Sequence, residues 1–201
     1  QPALLACRAN WVDGREHPMN VPRQRPLVSQ RLECAASSVH AMQIRTASFV
    51  AILIDTRAIR EDGLPIADYF LWNDDFEYTA RLLRHRIGLY VPSAIVEHCT
   101  KVFGNSTADP GPRFLNEVRN KIWVFSRSEA LSPLEKTLYG GKTVLRWGAM
   151  LVQSASRGKM LKYFRQGVMQ GILPPRPTED VLADTPVALD VVRVEGEARR
   201  E

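Results

Sequence analysis

The chain has 201 residues, enough for one full-sized domain with or without an appendage. Its 45% hydrophobic and 24% charged residues are close to the globular average, which excludes a wholly disordered, collagenous or coiled-coil chain. The longest uncharged apolar stretches, 46–54 and 147–156, reach only about half the length of a bilayer-spanning helix. We therefore expect no integral membrane insertion.

The net charge of +5 is concentrated in one segment. Residues 1–130 carry 16 basic and 14 acidic side chains, residues 131–176 carry eight basic and one acidic, and residues 177–201 carry three basic and seven acidic. A basic segment with interleaved apolar residues is attracted to anionic lipid headgroups or nucleic acid. A solvated helix face explains the same pattern, and no nucleic-acid-binding motif accompanies it.

The cysteines indicate a reducing compartment. Cys7, Cys34 and Cys99 form no CxxC pair and leave one odd thiol, so neither a disulfide framework nor a cysteine-based zinc site is predicted. The opening residues lack the basic and apolar segments of a signal peptide. These features predict a cytoplasmic protein.

The first half of the chain predicts strands, then a helix. Residues 1–45 predict a strand or two and a long loop, 48–54 a buried strand, and 56–61 one helical turn. The next helix begins at Asp74 and ends near Gly88, because Phe76, Ala80, Leu83 and Ile87 share one face. A strand over 89–96, interrupted by Pro92, leads into a polar loop over 100–112.

The second half predicts three helices, at about 113–127, 133–153 and 157–171, each with an apolar stripe. Prolines at 174, 175 and 177 end this region, and the acidic residues that follow are predicted to be disordered. The pattern as a whole predicts an α/β fold with a basic helical extension over 131–173 and a Pro-rich, acidic tail over 174–201.

The most informative motif is the run WNDDFEY at 72–78, which places Asp74 and Asp75 at the start of a helix. Carboxylates there satisfy unpaired N–H groups and complement the helix dipole, which stabilises the helix by about 1 kcal/mol. This stabilisation alone can explain their presence. The functional interpretation is that one Asp orients the loop while the other acts as a general base. Trp72 and Tyr69 then offer flat apolar surfaces for sugar rings or other ligands.

His98 follows a predicted strand and could bring an imidazole to a metal beside these carboxylates. A lone histidine is more often structural, and His17 is remote in sequence. The common nucleotide-binding and hydrolase signatures, GxxxxGK[ST], GxGxxG, GxSxG and HExxH, are all missing from the sequence.

Three stretches resemble the acceptor-side half of glycosyltransferase family 2, especially its bacterial rhamnosyl- and galactofuranosyltransferase-like branch: SFVAILIDTRAI at 48–59, GLPIADYFLWNDDFEYTARLLRHRIGLYVPSAIVEH at 63–98 and RFLNEVRNKIWVF at 113–125. The resemblance covers about 1–170 and is strongest over 46–126. The order of the motifs is more specific than any one of them.

The resemblance implies a GT-A fold, an α/β/α sandwich, and inverting transfer of a sugar from a UDP- or dTDP-sugar. Asp75 matches the base that deprotonates the acceptor hydroxyl, Asp74 its acidic neighbour in the acceptor pocket, and Trp72 an aromatic acceptor contact. His98 matches the histidine that completes a Mn²⁺ or Mg²⁺ site. Arg119 and Asn120 match a family RN pair whose role stays open.

The resemblance also predicts what the chain lacks. Family members begin with a nucleotide-binding strand and helix, followed by a DxD motif that holds the metal and diphosphate, and nothing of that kind precedes Trp11. The chain is therefore expected to hold the acceptor-side half over 1–130 without the donor-binding half, and to be inactive alone. Hard cations need oxygen ligands, so His98 alone would bind them poorly.

The leading hypothesis is an inverting glycosyltransferase acting on a lipid-linked or cell-wall glycan, held at the inner face of the plasma membrane by its basic helices. The alternative is a non-catalytic remnant of that fold that binds a membrane or a partner. A metal-dependent hydrolase built on Asp74, Asp75 and His98 is a third hypothesis, and it requires further carboxylates at the site.

Overall fold

The computed structural model describes residues 1–100, 103–104 and 110–200, and the predicted loop over 100–112 lies partly outside them. Helices make up about 49% of the chain. The strands are β1 (Leu4–Asn10), β2 (Arg23–Gln24), β3 (Met42–Thr46), β4 (Ile52–Ile54) and β5 (Gly88–Glu97). The helices are α1 (Gln30–Ser37), α2 (Thr56–Asp62), α3 (Asp74–Leu82), α4 (Phe114–Ser126), α5 (Pro133–Gln153), α6 (Arg157–Ile172), α7 (Thr178–Val181) and α8 (Ala188–Ala198).

The strands form one mixed sheet in the order β2-β3-β5-β1-β4. Only the central pair, β1 and β5, is parallel. Strand β5 is continuous across Pro92, where the sequence predicts an interruption. The register shifts there, since Cys7 pairs with Val91 and Arg8 with Ile95, so the intervening residues bulge out. A bulge accommodates a proline because its nitrogen has no hydrogen to donate to the ladder.

The strand predicted over 48–54 is shorter in the structure, where β4 holds only Ile52–Ile54. The preceding loop is held by α3, because the Thr79 hydroxyl bonds both the N–H and the carbonyl of Ala47, each at 3.1 Å. Strands β1 and β2, most of β3 and helix α1 lie within 1–45, and α1 is not predicted from the sequence.

Helix α3 ends at Leu82, six residues before the predicted end near Gly88. The Arg25 guanidinium ends it by donating to the carbonyl oxygens of Leu83 and Arg86, the latter at 2.8 Å. These carbonyls would otherwise lack partners at the helix terminus. The chain then turns directly into β5 in the middle of the sheet.

The buried residues form three clusters. The first joins the sheet to α2 and α3 around Leu4, Ile44, Tyr78 and Leu82. The second joins α3 to α4 around Tyr69, Phe76 and Trp123, and the third joins α4 to α5 and α6 around Phe114, Trp147 and Met160. Because α4 belongs to two clusters, it connects the predicted helical extension directly to the α3 side of the sheet.

The prediction that 174–201 is disordered is wrong for 174–200, which contain α7 and α8. Val191 of α8 is 4% exposed, and Glu195 accepts a hydrogen bond of 2.8 Å from the Leu64 N–H. Glu179 pairs with Arg199. The tail orders because Val191 packs against the body of the protein and because Glu179 and Glu197 pair with arginines.

Within the part of the chain that the structure describes, no helix combines the length and the apolar character needed to cross a bilayer.

Candidate functional site

A cleft of about 590 Å³ opens beside the N-terminus of α3. The 47–50 loop, the 71–76 segment, α4 and α5 line it. Trp72, Asp74, Asp75 and His98 all line this cleft, so the structure brings the four predicted site residues together. Its volume is within the usual range of small-molecule sites, about 300–1,000 Å³.

The loop before α3 has an unusual backbone conformation. Phe70, Trp72 and Asn73 have φ angles of 59°, 68° and 63°. Residues other than glycine rarely adopt such positive values. Such conformations persist only where the surrounding structure holds them, and they cluster at functional sites. The loop turns sharply here and presents Trp72 and the two aspartates to the cleft.

Asn120 and Arg119 hold this loop in place. The Asn120 amide is fully buried and donates to the carbonyl oxygens of Tyr69, Leu71 and Trp72 at 2.9, 3.0 and 2.6 Å. Arg119 donates to the Tyr69 carbonyl at 3.0 Å and to the Asn120 side-chain oxygen at 2.9 Å. The RN pair therefore positions the loop and does not line the cleft.

Asp75 is the second residue of α3 and is partly buried in the cleft wall. Its Oδ1 accepts a hydrogen bond of 2.7 Å from the Phe76 N–H. The pKa of Asp75 is raised from 3.8 to about 6, mainly by burial and also by the charge of Asp74, whereas the Phe76 hydrogen bond and Lys121 oppose the shift. A carboxylate with a pKa of about 6 is suited to general-base chemistry near neutral pH.

The geometry supports the capping explanation only in part, through the Phe76 N–H hydrogen bond that Asp75 accepts in the first turn of α3. Asn73 occupies the N-cap of α3, and its side chain makes no capping hydrogen bond. Its amide donates instead to Glu117 of α4 at 2.7 Å. An aspartate retained only for capping would gain stability from its charge, whereas burial penalises the charge of Asp75.

Glu117 and Lys121 of α4 also line the cleft, and sequence analysis did not identify either. Glu117 accepts hydrogen bonds from Asn73, Arg146 and Trp147. Burial lowers the pKa of Lys121 to about 8, and its amine lies 3.9 Å from the centre of the Phe76 ring. Their four-residue spacing on one helix face is the only sequence signal, and it is common to many surface helices.

His98 is held at the edge of the cleft by Asn20. Its Nδ1 lies 2.8 Å from the Asn20 Oδ1, while the Asn20 amide nitrogen donates to Ser48 at 2.9 Å. The His17 ring, which is distant in sequence, lies beside it at a tilt of 41°, with 5.3 Å between the ring centres. Burial lowers the pKa of the His17 imidazole, and the charge of His98 lowers it further.

These residues do not fit a Mn²⁺ or Mg²⁺ site. Residues 1–100, 103–104 and 110–200 contain no group of three or more His, Cys, Asp or Glu side chains that could hold a metal ion. Hard cations take mainly oxygen ligands, and both oxygens of Glu117 already accept hydrogen bonds. The hydrolase hypothesis gains no metal-holding group from the same residues, although Glu117 adds a third carboxylate to the cleft lining.

Comparisons of the chain with protein-family models, with curated proteins and with solved structures give no match.

Proposed function

We propose that the chain is the acceptor-binding, base-carrying part of an inverting glycosyltransferase with a GT-A-like α/β/α arrangement. Its acceptor is a lipid-linked or cell-wall glycan and its donor is a UDP- or dTDP-sugar. Asp75 removes the proton from the attacking hydroxyl, and Trp72 provides a flat surface for the acceptor ring. Asp74 keeps the Asp75 pKa high and accepts a hydrogen bond from the acceptor.

The observation that carries this proposal is the partly buried Asp75 carboxylate, with a pKa of about 6, in the wall of a 590 Å³ cleft. A base in a glycosyl transfer must be ionised before the reaction and must hold a proton after it. A pKa near the working pH satisfies both requirements. Trp72 lines the same cleft and precedes Asp75 by three residues in the chain. Its carbonyl is held by Asn120 of α4.

Acceptor binding can be measured on this chain alone, without a donor-binding half, and therefore tests the proposal directly. The chain is titrated with a panel of rhamnose- and galactofuranose-containing saccharides, and binding is followed by calorimetry. We expect one saccharide class to bind, Trp72→Ala to weaken it at least tenfold, and Asp75→Asn to leave it within about threefold. No binding across the panel, or equal binding by the Trp72→Ala variant, contradicts the proposal.

Transfer itself is measured with the donor-binding half supplied as a fusion or in trans, using labelled UDP- and dTDP-sugars with Mn²⁺. The expected result is loss of transfer in Asp75→Asn with donor binding unchanged. Asp190→Asn, an aspartate in the first turn of α8, is the matched control and keeps full activity. Turnover by the Asp75→Asn variant rejects the base assignment.

A second candidate function, a non-catalytic module that binds an anionic membrane, is favoured by the outer face of α5. Leu134, Leu138, Leu145 and Val152 recur at four- and seven-residue intervals on one face, and each is between 64% and 76% exposed. Gly141, Gly148 and Ala149 are exposed beside them. A helix face of this composition gains stability when its leucines enter the boundary between headgroups and acyl chains.

Charge favours a lipid surface over a second copy of the chain. Lys159, Lys162 and Arg165 of the neighbouring α6 are exposed and form no ion pair with any described residue. Residues 131–176 carry eight cations and one acid, so two copies would repel each other through this region. Each cation near an anionic bilayer contributes about 1 kcal/mol.

Vesicle sedimentation distinguishes the two functions. The chain should sediment with phosphatidylglycerol-containing vesicles and not with pure phosphatidylcholine, and Leu138→Ser together with Leu145→Ser should release it. Leu189→Ser on α8, where the leucine is 86% exposed, is the matched control. Vesicle binding without saccharide or nucleotide-sugar binding supports the module, and saccharide binding supports the transferase.

A further inference from the structure

A small cavity of about 120 Å³ lies beside the large cleft and is strongly cationic. Four of its lining residues, Arg23, Lys121, Lys142 and Arg146, carry positive charge, and no acidic residue lines it. Arg23, Lys121 and Arg146 also line the large cleft, so the two cavities adjoin. Helix α5 contributes Lys142, which is exposed, and Arg146, which is partly buried.

Lys121 is the central residue of this cavity. It is 6% exposed, and its amine forms no hydrogen bond or ion pair with any described residue. The Phe76 ring is its nearest aromatic contact, at 3.9 Å. The Lys121 ammonium is largely withdrawn from water and has no hydrogen-bonded counter-ion in the described part of the chain, which is unfavourable for its charge. A ligand that brings an anion to this amine would offset it.

The other cations of the cavity are only partly compensated by negative charge. The buried Nε of Arg146 has no hydrogen-bond partner among the described residues, although its Nη2 pairs with Glu117. The Arg23 guanidinium lies over the Phe76 and Tyr139 rings at 5.4 and 5.7 Å. Burial is the main cause of the lowered pKa of Lys121; the charge of Glu117 opposes the shift, and the charges of Arg146 and Arg23 add to it. Glu117, the nearest acid, is already engaged by Arg146 and Asn73.

The size and donor set of the cavity match a phosphate group. Its volume of about 120 Å³ is larger than a single water molecule requires. Lysine ammonium and arginine guanidinium groups are the usual protein ligands of phosphate. Tyr139 and Thr143 add hydroxyl groups to the lining. A tetrahedral anion can accept several of these donors at once, while an uncharged sugar would leave the cations uncompensated.

We propose that Arg23, Lys121, Lys142 and Arg146 form a subsite for a phosphate group. Because the subsite adjoins the cleft wall that carries Asp75, this phosphate belongs to the acceptor, which is then a phosphorylated glycan or glycolipid. The second statement rests on the proposed glycosyl transfer, whereas phosphate binding by the four cations does not.

Calorimetry with the full chain tests the subsite, using inorganic phosphate and pyrophosphate as probes. Lys121→Met keeps the apolar stem and removes the buried amine, so it is expected to fold and to weaken phosphate binding at least tenfold. Lys159→Met, an exposed lysine on α6, is the control and should change the affinity less than twofold. No phosphate binding, or equal binding by the wild-type chain and Lys121→Met, overturns the subsite.

Two further probes identify the molecule that carries the phosphate. A hexose 1-phosphate that binds at least tenfold more tightly than inorganic phosphate, and loses that gain in Trp72→Ala, supports the acceptor assignment. UDP that binds more tightly than the hexose phosphate, with equal dependence on Lys121, overturns that assignment and leaves the phosphate subsite standing. Phosphate binding without transfer contradicts the proposed function alone, and transfer without phosphate binding contradicts the subsite alone.

Discussion

Replacing Asp75 with asparagine separates a functional carboxylate from a capping one, because the two predict opposite changes in stability. A cap or helix-dipole role means that loss of the charge lowers the free energy of unfolding, by about 1 kcal/mol. If the carboxylate is instead destabilised by its burial in the cleft wall, loss of the charge raises the free energy of unfolding. Asparagine keeps the side-chain oxygen that accepts the Phe76 N–H, so the hydrogen bond survives the substitution.

The magnitude follows from the pKa. A folded-state pKa of about 6, against 3.8 for the free group, means that the native state binds the Asp75 proton more tightly than the unfolded state does. The protonated carboxyl group therefore makes its full contribution to stability below pH 3.8, and this contribution is lost as the pH rises to about 6. At about 1.4 kcal/mol per pH unit, the ionised form costs about 3 kcal/mol at pH 7.5.

Urea unfolding followed by circular dichroism between pH 4 and 8 measures the effect. Asp75→Asn should match the wild-type chain near pH 4 and exceed it by about 2–3 kcal/mol at pH 7.5. Asp190 also lies in the first turn of a helix but is 70% exposed and pairs with Arg193. Asp190→Asn should lower stability by less than about 1 kcal/mol at pH 7.5. A destabilised Asp75→Asn variant at pH 7.5 would refute the reasoning and identify the aspartate as a cap.

Two further substitutions and one deletion test the contacts that stabilise the fold. Asn120→Ala leaves three loop carbonyls without their donor and should lower the free energy of unfolding in urea by about 3 kcal/mol. The control Asn116→Ala, on the same helix, should change it by under about 0.5 kcal/mol. Equal effects of the two substitutions would reject the positioning role of Asn120. Gly167→Ala places a Cβ 2.7 Å from its α4 neighbours and should cost about 1–3 kcal/mol, whereas Gly158→Ala meets open space and should be neutral or slightly stabilising in thermal melts. Deleting 188–201 should lower the unfolding free energy by about 2 kcal/mol, and an unchanged melting temperature would show that α8 does not stabilise the fold.

The local signals in the sequence predicted most of the helices. Helix α5 spans Pro133–Gln153, the predicted range, because Ser132 and Glu135 form a capping box and Pro133 suits the first helical turn. The apolar stripes of α4 and α6 placed both helices within one residue at either end. Capping residues and apolar stripes depend on residues close together in the sequence, so they predict a helix without knowledge of the tertiary structure.

The gathering of Trp72, Asp74, Asp75 and His98 in one cleft agrees with the order of motifs along the chain. Their catalytic and acceptor-binding roles remain predictions. The sequence placed the two aspartates at the start of α3, and local capping chemistry was sufficient to do so. It could not set the Asp75 pKa, which depends on how deeply neighbouring elements bury the carboxyl group.

The sequence by itself determined the α/β character, the main helices and the position of the adjacent aspartates, because each depends on residues within a few positions of one another. Only the tertiary structure decided the support of the loop by Asn120, the cation cluster around Lys121 and the ordering of the tail. These contacts join residues separated by about 50 to more than 100 positions. They depend on where α4, α5 and α8 pack, and apolar periodicity identifies the face that packs but not its partner.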